Sequence, residues 1–217
     1  MCVLLKYLFF DFASEDTLRE ASNPVRFFAE LLAGGEFHLA ESAEMTVEHL
    51  WPSVVRMRPK NAYLAFENAN GLTITFGVYP GEWRRWYAMV YGGVISTPGS
   101  EQHIRSLVKT GEMVYKTLHP EYGYGLISLE NQLVGAPGTN ELDAVYDYNF
   151  LSRRLVERLG GNDRVTAVPA WRTEAFDDGG LLVEMAAHPI LERKARTANY
   201  LKAAQMLGIG RYVQGGA

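Results

Sequence analysis

The stretch "WRTEAFDDGGLLVEMAAHPI", residues 171–190, concentrates the residue types that do chemistry. Asp177 and Asp178 could hold a cation, and His188 could exchange protons near neutral pH. The same letters also spell a turn. Asp-Gly and Gly-Gly between two apolar segments are hairpin residues, because they tolerate the backbone angles that tight turns need. The hairpin reading is adopted. The histidines at 38, 49, 103, 119 and 188 never fall four apart on one predicted helix, so no local metal pair exists. His119 and His188 each precede a proline and mark element boundaries. Cys2, the one cysteine, opens an apolar segment with no activating neighbour and reads as a buried thiol. It can build neither a disulfide framework nor a thiolate zinc site alone, which fits a reducing compartment.

Other chemistry is weakly signalled. "YGYG" at 122–125 is followed by a strand and lacks the lysine of a phosphate loop, so it reads as tight backbone packing. Trp83, Arg84, Arg85 and Trp86 could stack bases or grip phosphate, but strand alternation accounts for them more simply. Phosphate-loop, dinucleotide-fold, nucleophile-elbow and metalloprotease motifs are absent from the sequence. One charge feature stands out. Between Lys116 and Arg153 there is no basic residue, while Glu121, Glu130, Glu141, Asp143 and Asp147 are present. They read either as a solvated face with helix N-terminal acids, or as an acidic patch that mimics phosphates and attracts a basic groove. On the second reading these five residues form the partner-binding surface.

The elements that would position these groups can be read from periodicity. "VLLKYLFFDF" (3–12) is a short apolar and aromatic run without Gly or Pro, which suits a central strand better than a signal peptide. Asn23-Pro24 opens a helix that Gly34-Gly35 stops. Residues 36–60 carry no assignable pattern. Asn70-Gly71 and Pro80-Gly81 divide a three-stranded meander over about 62–91. The spacing predicts a helix from about 99 to Pro120, with Ile104, Leu107, Val108, Gly111, Val114, Tyr115 and Leu118 in one stripe. "GYGLISLEN" is a strand. "NELDAVYDYNFLSRRLVERLGG" reads as a second amphipathic helix capped by Asn140 and ended by Gly160-Gly161. A strand pair at 164–176 and 181–186 and a last helix from Pro189 to Gly208 complete the chain.

Hairpins dominate and alternating βα units are missing, so the fold class is α+β. The architecture expected is a mainly antiparallel sheet or sheets with helices packed on one face. The 217 residues make a single globular domain with two conceivable sub-halves, 1–119 and 120–217, and a loop boundary near 131–140. A net charge of −4 argues against direct binding of nucleic acid but allows a basic protein partner. The longest apolar run is too short for a membrane helix. A cytoplasmic protein is expected.

With the elements placed, "LHPEYGYGLISLEN", "YDYNFLSRRLVERLGGNDRV" and "FDDGGLLVEMAAHPI" resemble, in order and spacing, the bacterial type VI secretion immunity proteins. The matching positions are Pro120, Gly123 and Gly125; Asn149, Phe150, Leu151 and Leu159-Gly160-Gly161; Asp178, Gly179, Gly180 and Pro189. The similarity covers about residues 115–212, and related polymorphic-toxin immunity families share the pattern. It implies a protein that binds a toxin, a type VI effector of the nuclease kind, and covers its active site or substrate groove without cofactor or metal. The other class open to the sequence is an enzyme with Tyr, His and Asp/Glu side chains meeting between the two halves.

Overall fold

A computed structural model of the chain describes residues 5–14, 22–39, 62–69, 71–78, 86–95, 101–128, 142 and 144–212. Among these residues nine strands form one sheet: β1 (Leu5–Ser14), β2 (Phe37–Leu39), β3 (Ala62–Asn68), β4 (Thr73–Val78), β5 (Trp86–Ile95), β6 (Tyr122–Ser128), β7 (Tyr148–Leu151), β8 (Arg172–Ala175) and β9 (Leu181–Glu184). Their spatial order is β2-β3-β4-β5-β1-β6-β7-β9-β8, and every strand ladder is antiparallel. The helices are α1 (Ser22–Ala33), α2 (Glu101–Leu118), α3 (Arg153–Arg158), α4 (Asn162–Thr166), α5 (Pro189–Glu192) and α6 (Thr197–Leu207). The fold is α+β, as the hairpin-rich pattern predicts. Among the described residues no helix is long and apolar enough to cross a membrane.

The apolar run at the N-terminus becomes the central strand. β1 pairs with β5 on one side and β6 on the other, over registers from Leu5↔Ile95 and Tyr7↔Ser128. The meander is present, and all seven stripe residues of α2 are buried. Ile74 and Phe76 of β4, with Leu72 just before it, line one face, but Thr73 and Thr75 on the other face are buried as well. Asn70 and Pro80-Gly81 lie outside the described residues, as do residue 40 to residue 61 of the unassigned stretch.

Four expectations are corrected. Residues 148–151 are not helical; they form β7, between β6 and β9, and only Arg153–Arg158 continues as helix. The helices also cover both faces rather than one. The core on one face unites α1 and α2 with Phe66, Ile74, Phe76, Tyr148, Phe150 and Leu182. The core on the other unites Leu155, Val165, Tyr200, Ala203 and Leu207 of α3, α4 and α6 with Tyr124, Leu151, Leu181 and Val183. β7 and β9 are therefore buried on both sides. Residues 164–166, expected as the start of a strand, belong to α4, and the last helix is broken into α5 and α6.

Candidate interaction site

The opening stretch is a hairpin. Phe176 N–H donates to Gly180 O (2.9 Å) and Gly179 N–H donates to Phe176 O (3.0 Å), which closes a three-residue loop of 177–179. Gly179 sits at φ 83, a left-handed angle that glycine adopts without penalty. The Asn68–Leu72 hairpin closes with the same pair of bonds, Gly71 taking φ 72. Asp178 serves this geometry: its Oδ1 accepts from Gly180 N–H at 2.8 Å.

The hairpin is fastened to α2 by Tyr115. The phenol ring stacks on Phe176 with centroids 4.4 Å apart. Its hydroxyl lies 3.2 Å from Leu151 O, to which it donates, and 3.4 Å from Asp178 Oδ2. Burial, and then the charge of Asp178, push the Tyr115 pKa up, so the phenol stays neutral. His119 ends α2 at φ 47, with Nδ1 3.5 Å from Asp178 Oδ2, and 48% of its side chain is exposed. His188 is buried at the start of α5, where its carbonyl accepts from Leu191 and Glu192 N–H at 3.0 Å. Among the described residues no group of three or more His, Cys, Asp or Glu converges as metal ligands.

The buried charges lie beside the paired residues Tyr148 and Glu184 of β7 and β9. The Asp147 side chain has 0% exposure; Arg193 Nε donates to its Oδ1 at 2.8 Å, Arg193 Nη2 to its Oδ2, and the Tyr200 hydroxyl to Oδ1 at 2.8 Å. The Glu184 side chain, also 0% exposed, is gripped by both terminal nitrogens of Arg105, with Nη1 at 3.0 Å from Oε1. Arg172 Nη1 donates to the same oxygen at 3.0 Å and Arg172 Nη2 to Glu174. Burial works against charge on Arg105 and Arg193, but the hydrogen bonds and charges of Glu184 and Asp147 outweigh it and their pKa values rise. Each carboxylate is thus held in the bidentate arrangement that makes charge burial tolerable.

The Glu184 cluster surfaces at the edge of the sheet through Arg172. β8 is the last strand, and its residues are exposed or half-buried. Trp171, just before it, is 42% exposed, with the Arg105 guanidinium 5.2 Å from the ring centroid. Trp171 N–H donates to Glu184 O at 2.8 Å, which fixes the backbone that carries the indole. A tryptophan and two arginines immobilised on a buried acid are residue types that dominate protein interfaces.

Of the acidic residues expected to form a partner surface, Asp147 is withdrawn. It is buried against Arg193 and Tyr200, so no partner can reach it in this fold. The Glu121 side chain is 17% exposed and lies 3.7 Å from Arg158. Glu130, Glu141 and Asp143 fall outside the described residues. Arg105, Trp171, Arg172 and Glu184 were not singled out by sequence reasoning. The one legible hint is Glu184 at the end of "LLVE", an acid in an otherwise apolar run.

No family model matches this chain, and no curated protein matches it. Among solved structures, its fold is similar to that of the Pseudomonas aeruginosa T6SS protein PA0821, T6SS denoting type VI secretion. The TM-score is 0.57 at 14% identity, over 98% of this chain and 76% of that one. The likeness is one of fold.

Proposed function

We propose that this chain is an immunity protein that binds a type VI effector of the nuclease class and blocks its active site or substrate groove. The observation that carries the reading is the shared fold with a T6SS protein over nearly the whole chain. The immunity-family motif residues support it, because each lands where a scaffold needs it. Gly123 and Gly125 lie on β6. Asn149 sits in β7, accepting from Tyr146 N–H and donating to Tyr146 O and Val183 O. Gly160 and Gly161 end α3 at φ 102 and 92, and Asp178–Gly180 turn the hairpin.

Inhibition by occlusion asks for a stiff surface and charge opposite to the groove it covers. The sheet, buried on both faces at β7 and β9, supplies stiffness. The acidic run Glu121, Glu130, Glu141 and Asp143 supplies charge that suits the basic groove of a nuclease. The test is co-expression with type VI effector domains of the nuclease class. The chain should restore growth to cells that the effector alone kills. Continued killing, with the chain present at comparable level, refutes the proposal.

A further inference from the structure

The outer edge of β8 has a geometry that matches itself. Antiparallel pairs alternate between residues that exchange both backbone bonds across the ladder and residues that turn those groups away. The Phe176 N–H bond to Gly180 O sets the phase of the β8–β9 ladder. Counting back along the register Ala175↔Leu181, Glu174↔Leu182, Thr173↔Val183, the Glu174 groups point to β9. Those of Thr173 and Ala175 point away from it, and among the described residues β8 has no neighbour on that side.

We propose that two copies of this chain pair through β8, antiparallel, with a two-fold axis between the two Thr173 residues. In that register each Thr173 N–H donates to Thr173 O of the other copy, and each Ala175 N–H to Trp171 O. Trp171 N–H, already bonded to Glu184, is left undisturbed. Arg172 of each copy comes opposite Glu174 of the other. Opposite charges directly across an antiparallel pair are favourable, and so is a Thr–Thr pair. The two charges are two residues apart around the axis, so a single strand supplies both halves of the complementarity. A protected edge usually carries like charge or proline, which repels its own copy; "RTEA" carries neither. Arg172 is held in place by Glu184, so its guanidinium is ordered before pairing. The exposed Trp171 lies at the end of the strand and would be covered by the incoming copy. This inference is independent of what the chain inhibits.

Sedimentation velocity on the full chain, over a hundredfold concentration range, tests it. A concentration-dependent shift from monomer to dimer is expected. Thr173→Pro is the informative variant, because its lost N–H faces away from β9 and proline is accepted at that edge position. It should raise the dimer dissociation constant at least about tenfold, since two ladder bonds vanish, while the circular dichroism spectrum stays that of the parent. If Thr173→Pro does not fold, Glu174→Arg places like charges across the axis and should weaken the dimer in the same assay. A monomer at every concentration overturns the proposal. So does a dimer indifferent to the variants. A parent chain that is monomeric alone, but loses capture of its effector on Thr173→Pro, gives the edge to the effector and overturns the second copy as occupant.

Discussion

A methyl group at position 180 would sit 2.0 Å from the Tyr115 hydroxyl and 2.7 Å from Leu151 O. Neither neighbour is free to retreat, since one is stacked on Phe176 and the other belongs to β7. Gly180→Ala is therefore expected to destabilise the fold by about 1–3 kcal/mol. Urea unfolding measures this, and adding Tyr115→Phe should recover part of the loss. The glycine pair was legible as a turn; the requirement for glycine at 180 was not, because it arises from α2, far away in the chain. Asp147 shows the same limit. Charged residues are rarely buried unless paired, so an acid in a stretch without lysine or arginine reads as surface. Its partner Arg193 is 46 residues away. Asp147→Ala strands that arginine in the interior and should cost about 3–5 kcal/mol, whereas Asp147→Leu with Arg193→Met should recover most of it. A loss below 1 kcal/mol for the single variant, read from denaturant midpoints, would show that the pair contributes little.

Elements with one buried face were readable. α2 kept its predicted stripe, because solvent on one side imposes a period on the sequence; β4 kept its alternation in residue type alone, since Thr73 and Thr75 are buried along with Ile74 and Phe76. β7 failed for the opposite reason. All four of its residues are buried, Tyr148 and Phe150 towards one core and Leu151 towards the other, so no alternation survives. Its apolar residues run on into Leu155, Val156 and Leu159 at spacings that also suit a helix. The true boundary is Ser152, whose hydroxyl accepts from Leu155 N–H at 3.2 Å and caps α3. Ser152→Ala should cost about 1 kcal/mol. A thermal unfolding series that includes Ser152→Asp, expected to retain the cap, separates loss of capping from a general effect of substitution.

At the scale of the whole molecule, three tyrosines govern behaviour in alkali. Tyr115, Tyr148 and Tyr200 are fully buried, and burial, followed by the charge of Asp178 or Asp147, raises their pKa values. In the unfolded chain they ionise near pH 10. Above that pH the unfolded state holds fewer protons than the folded one, so stability falls as pH rises. The expected slope is about 1.4 kcal/mol per pH unit for each tyrosine. Stability contributed by these groups should be constant from neutral pH to about 10 and decline steeply beyond it; urea midpoints between pH 8 and 11 check this. The α+β class was legible because hairpins leave local marks. The single sheet spanning the chain was not, because the β1–β6 ladder joins Tyr7 to Ser128, and nothing local records such a pairing. On the function proposed above, this molecule acts by covering another protein. That claim is tested most directly by titrating the purified chain against a purified type VI nuclease effector domain while following nuclease activity. Activity should fall linearly and vanish near one chain per effector. Inactivation at a small fraction of that ratio would mean that the chain turns over as an enzyme, and undiminished activity at excess would mean that the effector is not its partner; either contradicts the claim.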